Sequence, residues 1–433
     1  MCSVIVTASA HSYTVFSCTT ILSFACSKRV LETLISPVEV DTFLAEFWER
    51  APLHVPRDVP GYFADLFDVS DIEESLVVGA RDLDRFALVK AGVPQATFDD
   101  YVVTSPAIRW KSTGNAPASH IDPRKVAALL ERGYTLVIKD AALLSARLQR
   151  TCNRLQRELG AYVGANVYFT PAGAQGLDVH HDTHDTLTVQ IEGSKTWRVY
   201  EPLVELPLES QQLHRGTQVP ALTLHSTVRL DAGETLYLPR GYAHEAVAAG
   251  ERALHVTFAL APLRAIDLVH EMIDVAATGD VALRRALPIG WHDDPAFAAT
   301  FARQTAMQLG SLNADVVAAA AHGALTGLFA SSRSESNAAF DQQQLVAKLG
   351  PESLLQVNAD LPFLVRERAN AVDVLLPGKM LGFSAACLAA LQLLQRGPVR
   401  YADLAPELSA NDRQLFVKTL VREGMLLIED TRN

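Results

Sequence analysis

The sequence lacks the residue patterns on which disulfide-bonded and zinc-stapled folds depend. Its 433 residues include five cysteines, and no two of them form a Cys-x-x-Cys pair. An odd number of cysteines without such a pair disfavours a disulfide framework and a structural zinc site, and it fits a reducing cytosol. In the first 27 residues, Ser, Thr and His interrupt the apolar residues, so no stretch there approaches the ~18 residues that a membrane-spanning helix needs. We therefore expect a cytoplasmic protein without a membrane partner.

Basic residues are also fewer than acidic ones. The chain has 38 Lys and Arg against 49 Asp and Glu, a formal net charge of -11. This balance gives no general attraction for nucleic acid, and it favours basic partners. The first 27 residues carry no charged side chain, whereas a secretory signal begins with basic residues. Residues 1–29 are interpreted as an extension that is uninformative about function.

The periodicity of apolar residues changes along the chain. Helical patterns come first, from a capping box at Ser36-Pro37-Val38-Glu39 to a helix over Ala141–Leu159 that stops at Gly160. Between residues 165 and 260 the pattern becomes one of short strands separated by turns, and helical patterns return after Pro262. The predicted strands are Asn166–Thr170, Val179–Ile191, Lys195–Tyr200, Ser226–Leu230, Thr235–Leu238 and Leu254–Leu260. Closely spaced strands predict a barrel or a double-stranded β-helix within an α+β chain.

Residues 178–185, Asp-Val-His-His-Asp-Thr-His-Asp, contain three histidines and three aspartates. On a strand, His180, Asp182 and His184 would share one face, and His181 would point the other way. A His-x-Asp pair supplies two thirds of the 2-His-1-carboxylate triad of non-heme Fe(II) oxygenases. His244 follows a predicted strand and a Pro-Arg-Gly turn, so it is the best candidate for the third ligand. An isolated His-x-Asp is more often part of a solvated loop, and the strand context and the later histidine are what favour a metal site.

Lys195 adds a positive charge near this candidate site. We expect its strand to pair with the His-x-Asp strand through the turn at Glu192–Ser194. A lysine inside the barrel could meet the distal carboxylate of a metal-bound dicarboxylate. Taken alone, a lysine at this place is more often a surface residue at the end of a hairpin, so Lys195 counts only together with the other features.

Four separated motifs together resemble those of the JmjC-domain ribosomal oxygenases, also described as cupin-like JmjC hydroxylases. The resemblance is dense over about residues 160–260 and looser over the flanks. The motifs are the segments 166–182, 190–202, 236–244 and 254–258, which contain Asn166-Val-Tyr168, His180-His-Asp182, Lys195-Thr-Trp-Arg-Val-Tyr, Leu236-Tyr-Leu-Pro-Arg-Gly-Tyr-Ala-His244 and Leu254-His-Val-Thr-Phe258.

The resemblance implies a function and a set of site residues. His180, Asp182 and His244 would bind Fe(II), Lys195 would hold the distal carboxylate of 2-oxoglutarate, and Asn166 and Tyr168 would help to line the cosubstrate pocket. With O2, such an enzyme hydroxylates a histidyl or arginyl side chain of a ribosomal protein. Two departures, His181 in place of the commoner Tyr and the pair His184-Asp185, bear on the substrate side of the pocket.

The resemblance also implies a layout of domains. A JmjC/cupin-like catalytic domain with a helical lead-in would span residues 30–262, a helical dimerisation domain 263–370 and a winged-helix-like domain 371–433. We expect a homodimer that binds a basic protein or peptide and makes no direct contact with nucleic acid. The last predicted helix, Asn411–Glu423, agrees with this, because its basic residues stand beside acidic ones.

Other functions remain open at this stage. The same iron chemistry could act on a free amino acid or on a biosynthetic peptide. The barrel could also bind a metal without catalysis and serve in an interaction. Demethylation of N-methyl-lysine is a poorer reading, since no tail-reading module accompanies the barrel.

Overall fold

The computed structural model describes residues 5–7, 21–22, 29–79, 82–105, 118–212, 221–310, 312–331, 339–358, 360–361, 363–368 and 370–429. The chain divides into two compact units. The first, called the barrel unit below, is residues 28–262. The second, the C-terminal unit, combines residues 263–433 with residues 1–27.

The barrel unit begins with short helical elements and continues as strands. Its α-helices are Val30–Ile35, Val40–Thr42, Val69–Val78, Phe98–Tyr101, Pro123–Glu131 and Ala146–Leu159, with a π-helical turn at Phe43–Phe47. Its strands are Leu53–Val55, Phe86–Val89, Val102–Ser105, Ala118–Ile121, Thr135–Ile138, Ala161–Thr170, Asp185–Glu192, Lys195–Pro202, Leu224–Leu230, Thr235–Leu238, Tyr242–Ala248 and Ala253–Pro262.

Two antiparallel sheets make the barrel. The major sheet has seven strands, in the order 53–55, 235–238, 185–192, 253–262, 161–170, 135–138 and 86–89. The minor sheet has the order 224–230, 195–202 and 242–248, and bridges at Gln175 and His180 extend it along the last of these strands. Leu236 and Leu238 of the major sheet pack on Trp197 and Val199 of the minor sheet. This is the double-stranded β-helix that the strand spacing predicts.

Alternating side chains give the strands 161–170, 185–192 and 253–262 of the major sheet one apolar face and one polar face. Leu187, Val189 and Phe258 belong to the main hydrophobic core, together with Leu148 and Leu155 of the helix Ala146–Leu159. The residues between them on the same strands point to the opposite side, because successive side chains of a strand alternate. Those inward positions are polar: Tyr168, Thr170, Thr186, Thr188, His255 and Thr257. The polar interior of the barrel is therefore encoded in the same strands that build the core.

The structure corrects three local predictions. The strand predicted over Val179–Ile191 begins only at Asp185, because the chain crosses from the minor to the major sheet between His180 and Asp185. Lys195 does not pair with the His-x-Asp segment. It pairs with Leu230 and Ala248 in the minor sheet, because the chain crosses back at Gly193.

The capping box predicted at Ser36 is not formed. Ser36 instead ends the helix Val30–Ile35, and its N–H donates to the carbonyl of Glu32. The next helical turn starts at Val40, with Glu39 before it in extended conformation. The correction shifts the predicted helix start by a few residues.

The C-terminal unit is helical first and mixed later. Its helices are Ala265–Gly279, Val281–Arg284, Phe297–Gly310, Ala314–Ser331, Ala339–Ala347, Leu388–Leu394 and Ala410–Arg422. Its strands are Ile5–Thr7, Ile21–Leu22, Leu354–Val357, Leu364–Arg368, Ala371–Leu376, Lys379–Ser384, Val399–Arg400 and Leu426–Ile428. The strand 364–368, which lies before the domain boundary expected at 370/371, pairs with the strand 371–376 after it. Both strands share one core with the last two helices.

Among the described residues, no single helix is long and apolar enough to cross a membrane. The helices Phe297–Gly310 and Ala314–Phe329, bent by 90° to each other, reach that length and apolar character only when taken together.

Candidate metal centre

The three predicted metal ligands meet at one place in the barrel unit. One donor atom each from His180, Asp182 and His244 lie within 4.8 Å of one another. The imidazole rings of His180 and His244 are 4.5 Å apart between centroids, and His244 Nε2 is 3.7 Å from a carboxylate oxygen of Asp182. The donor set is two imidazoles and one carboxylate, which is the facial arrangement suited to non-heme Fe(II).

Backbone pairing brings these side chains together. His180 and His244 form an antiparallel bridge in which each N–H donates to the other's carbonyl, at 3.2 and 2.8 Å. Residues directly opposite each other in such a pair project to the same side of the sheet. The N–H of Gly241 donates to the carbonyl of Asp182 at 3.0 Å. All three ligands are thus held by main-chain hydrogen bonds.

The hydrogen bonds of the two histidines leave the correct nitrogen for a metal. His180 Nδ1 lies 2.9 Å from the carbonyl of Asp178, and His244 Nδ1 lies 3.1 Å from the carbonyl of Tyr242. A carbonyl can only accept, so each Nδ1 carries the proton and each Nε2 keeps its lone pair. Backbone carbonyls commonly orient metal-ligating histidines in this way.

The protonation states also suit a metal. Burial, with help from His180, lowers the pKa of His244 to about 4 against the opposing effect of Asp182, so its imidazole is neutral at pH 7. Burial works to raise the pKa of Asp182, but the neighbouring histidines outweigh it and the pKa lies below its usual value. At neutral pH, His244 and Asp182 therefore need to release no proton when they bind a divalent cation.

The cluster opens into a cleft between the two sheets. Lys195 lines the same cleft and is 4% exposed. Its ammonium donates to Thr170 Oγ1 at 2.8 Å, and it has no acidic partner within the described part of the chain. Burial lowers the pKa of Lys195 to about 7. A buried amine without a counter-ion is suited to the carboxylate of a ligand.

Of the two other predicted pocket residues, only Tyr168 lines the cleft. Burial and the charge of Asp182 raise the pKa of Tyr168, so its hydroxyl stays protonated. Asn166 lies behind it. Its amide oxygen accepts from the N–H of Asp140 at 3.0 Å, and its side chain hydrogen-bonds to Tyr168. The structure therefore makes Asn166 a residue that supports Tyr168.

His181 and His184, the other two histidines of residues 178–185, are not part of this ligand group. His181 is 2% exposed, and its Nε2 lies 3.2 Å from the carbonyl of Gln211. Its ring therefore contacts the main chain at Gln211 and is not one of the ligands. His184 is half-buried and lies near enough to Asp182 to lower that residue's pKa.

Several cleft residues were not assigned a role from the sequence. They are Thr135, Gly176, Leu177, Thr186, Thr188, Trp197, Glu245, Ala246, His255 and Thr257, with Thr170 hydrogen-bonded to Lys195. Some of them could have been predicted from the segments Leu-Thr-Val-Gln (187–190) and Leu-His-Val-Thr (254–257), because polar residues alternate there with core residues. Thr135 lies far from the motifs in sequence and enters through the pairing of its strand with Ala161–Thr170.

A buried charge network supports the turn before His244. Asp185, fully buried, accepts hydrogen bonds from the Tyr237 hydroxyl at 2.7 Å and from the backbone and side chain of Arg240 at 3.0 and 3.1 Å. Arg240 also pairs with Glu49 at 2.6 Å. Asp185, which the sequence groups with the possible ligands, thus positions the turn that carries one of them.

Known proteins resemble this chain in sequence and in fold. The family model described as the JmjC domain matches residues 142–268. The bifunctional lysine-specific demethylase and histidyl-hydroxylase NO66 of Drosophila yakuba is 30% identical over 278 residues, which are 60% of this chain and 37% of that protein. Ribosomal oxygenase 2 of Mus musculus is 30% identical over 283 residues, 62% of this chain and 56% of that protein. The chain thus spans less than two thirds of either relative.

The structures that resemble this fold include YcfD, a ribosomal oxygenase from Escherichia coli. Its complex with cobalt and 2-oxoglutarate superimposes with a TM-score of 0.52 and 15% sequence identity, covering 91% of this chain and 99% of that one. At this identity the likeness shows a shared fold.

The fold is a double-stranded β-helix, and residues 142–268 match the JmjC domain. The resemblance to the ribosomal oxygenases that the motifs predict is confirmed by these relatives.

Replacing Gly241 with alanine should disrupt the centre. Gly241 has φ +93°, and a Cβ atom there would lie 2.1 Å from the carbonyl oxygen of Val204. The turn would have to move, and with it the hydrogen bond to Asp182. We expect a lower midpoint of thermal unfolding and at least tenfold weaker Mn(II) binding in a calorimetric titration. Gly250→Ala is the matched control, because a Cβ atom at Gly250 meets nothing within 4 Å. Equal metal affinity in both variants would contradict this role.

Proposed function

We propose that this chain is an Fe(II)- and 2-oxoglutarate-dependent oxygenase that hydroxylates a histidyl or arginyl side chain of a ribosomal protein. The proposal rests on one observation, that two features lie in the same cleft. A cluster of two histidines and an aspartate stands in the same cleft as a buried lysine without an acidic partner. A ligand that chelates a metal and also carries a distal carboxylate would satisfy both features.

Each residue then has a defined task. His180 and His244 would hold Fe(II) through Nε2, and Asp182 through a carboxylate oxygen. Bound there, Fe(II) supplies the activation of dioxygen that is coupled to decarboxylation of 2-oxoglutarate to succinate. Lys195 orients the cosubstrate by its distal carboxylate, with Thr170 holding the ammonium in place. Tyr168, supported by Asn166, contributes a hydroxyl that stays protonated beside Asp182. The buried walls keep water from the reacting groups.

The substrate class rests on the relatives and on charge. The similar proteins include ones named histidyl-hydroxylase and ribosomal oxygenase. Ribosomal proteins are basic, and a net charge of -11 on the chain favours their approach. The cytoplasm remains the expected compartment.

The homodimer and the winged-helix-like domain stay predictions. The fourteen residues of the helix Phe297–Gly310 include none that is buried. Apolar side chains such as Phe301 and Met307 are 44% and 77% exposed. Exposed apolar side chains of this kind support an interface between copies of the chain.

Replacing a histidine that binds the metal should reduce activity more than replacing a nearby histidine that does not. We expect His180→Ala to abolish succinate release from 2-oxoglutarate, because it deletes one of three metal donors. His184→Ala is the matched control from the same segment and should keep part of the activity. The measurement is succinate formation with Fe(II), O2 and a saturating peptide substrate. Turnover by His180→Ala equal to that of the wild type would exclude the assigned triad.

Binding of 2-oxoglutarate should weaken as the pH rises above about 7. Burial lowers the pKa of Lys195 to about 7, so the ligand-free amine loses its proton above that pH. A carboxylate then has to bind together with a proton, and the Kd should rise about tenfold per pH unit. Calorimetry on the Mn(II)-loaded protein between pH 6 and 9 measures this. Lys195→Met should bind weakly at every pH, and a wild-type Kd independent of pH would contradict the role of Lys195.

Mass spectrometry of ribosomal proteins tests the substrate class. Cells with and without the protein should differ by one added oxygen on a histidyl or arginyl residue, and complementation with His180→Ala should not restore it. Ribosomal proteins without such a difference, together with succinate release driven by a free amino acid or small peptide, would move the substrate to that class. Loss of a methyl group from lysine would indicate demethylation, and no succinate with any substrate would leave a metal-binding interaction barrel.

A further inference from the structure

The segment that carries His180 is held less regularly than the strand that carries His244. His244 lies inside the strand Tyr242–Ala248, which pairs with Lys195–Pro202. His180 lies outside the strands, and its main chain joins the minor sheet through an isolated bridge. The hydrogen bond between its Nδ1 and the carbonyl of Asp178 is exposed to water. This ligand therefore needs more support from neighbouring residues than His244 does.

A surface loop, residues 90–94, supplies that support. The N–H of Gly92 donates to Asp178 Oδ1 at 2.8 Å, and the N–H of Ala91 donates to the carbonyl of Gln175 at 3.0 Å. Asp178 takes part in no ion pair within the described residues, so its carboxylate serves here as an acceptor for the loop. Asp178 is thus held at two places, by its carboxylate on the loop and by its carbonyl on the imidazole of the metal ligand.

The loop can present this N–H because residue 92 is a glycine. Gly92 has φ +72°, a left-handed conformation that other residues rarely adopt. The space around it is free, since a Cβ atom at Gly92 would meet nothing within 4 Å. The backbone conformation of the loop, and not its packing, is therefore what requires glycine. That conformation directs the N–H at the carboxylate of Asp178.

We propose that Asp178 is a positioning residue of the metal centre, which transmits the position of the loop 90–94 to His180. While Gly92 holds the carboxylate, the carbonyl of Asp178 stays in line with His180 Nδ1. The ring then keeps its proton on Nδ1 and its Nε2 directed at the metal. Asp178 is not one of the three donors, so it acts through His180 alone. This inference rests on the proposed metal binding and adds to it a surface loop that controls one ligand.

Two substitutions at residue 178 separate the hydrogen bond from the charge. Asp178→Ala removes the acceptor, and loss of such support for a ligand weakens metal binding roughly 10- to 100-fold. We expect a rise of this size in the Kd of Mn(II), measured by calorimetry on the full chain. Asp178→Asn keeps an oxygen that accepts from Gly92, so its Kd should stay close to that of the wild type, because one exposed charge acts weakly through water. An Asn variant as weak as the Ala variant would assign the effect to charge and overturn the positioning role.

Gly92→Ala tests the same contact from the loop. The alanine would be strained at φ +72°, so the loop should shift and Mn(II) should bind more weakly. Gly160→Ala is the matched control, because Gly160 also has a positive φ, +58°, and free space around it. It lies outside the loop and the metal segment, so it should lower the midpoint of thermal unfolding and leave the Kd unchanged.

The double variant shows whether the two residues act together. If Gly92 acts through Asp178, Gly92→Ala should cause no further loss of Mn(II) binding in a chain that already carries Asp178→Ala. Losses that add up would mean that the two residues act independently, and this would overturn the coupling.

A spectroscopic signal reports on the ring itself. In the Co(II)-loaded protein, the unpaired electrons move the Nδ1 protons of His180 and His244 to separate NMR signals that exchange with water. Asp178→Ala should broaden one of these signals through faster exchange and leave the other as it is, whereas Asp178→Asn should keep both. Two unchanged signals in Asp178→Ala overturn the inference.

The outcomes separate this inference from the proposed function. A wild type that binds Mn(II) and 2-oxoglutarate, together with an Asp178→Ala variant that binds Mn(II) as tightly, overturns only the inference. A wild type that binds no divalent cation refutes both. Should Asp178→Ala fail to fold, Gly92→Ala and Gly160→Ala decide the question. Weaker Mn(II) binding in Gly92→Ala alone supports the inference, and equal affinity in the two variants overturns it.

Discussion

The site depends on one backbone contact, the antiparallel bridge between His180 and His244. The two residues exchange both N–H···O=C hydrogen bonds, so their Cα atoms are fixed opposite each other and their side chains must project together. Asp182 joins them through the hydrogen bond from Gly241. Side-chain flexibility therefore has little part in assembling the donors, and a cation would meet ligands that are already gathered.

Burying the charged and polar groups of the site costs the fold free energy, and neighbouring residues offset part of that cost. A barrel interior with a lysine, an aspartate and several histidines loses the hydration of those groups. Threonines at inward positions supply part of the replacement, as when Thr170 accepts from both Thr135 and Lys195. The ion pairs of Arg240 with Asp185 and Glu49 hold the turn beneath His244. Lys195, which has no acidic partner among the described residues, is left for a ligand.

The sequence predicts which residues form the site better than it predicts how the strands connect. His180, Asp182, His244 and Lys195 stand out by residue type, and the barrel follows from strand spacing. Alternation along a strand tells which side chains share a face, but it does not tell which sheet the strand joins. The chain changes sheets between His180 and Asp185 and again at Gly193, where a Cβ atom would lie 2.0 Å from the carbonyl oxygen of Arg252. Those crossings depend on long-range pairing, so the expected pairing of Lys195 with the His-x-Asp segment was wrong.

Core and cleft are two faces of the same strands, and this couples stability to function. Val256 and Phe258 pack into the hydrophobic core while His255 and Thr257, between and beside them, enter the cleft. A slip of one residue in the pairing of Ala253–Pro262 would exchange the two sets. It would bury polar groups against the helix Ala146–Leu159 and fill the cleft with aliphatic side chains. The apolar residues of these strands therefore do more than stabilise the unit, because their burial fixes the register that presents the polar residues to the metal cluster.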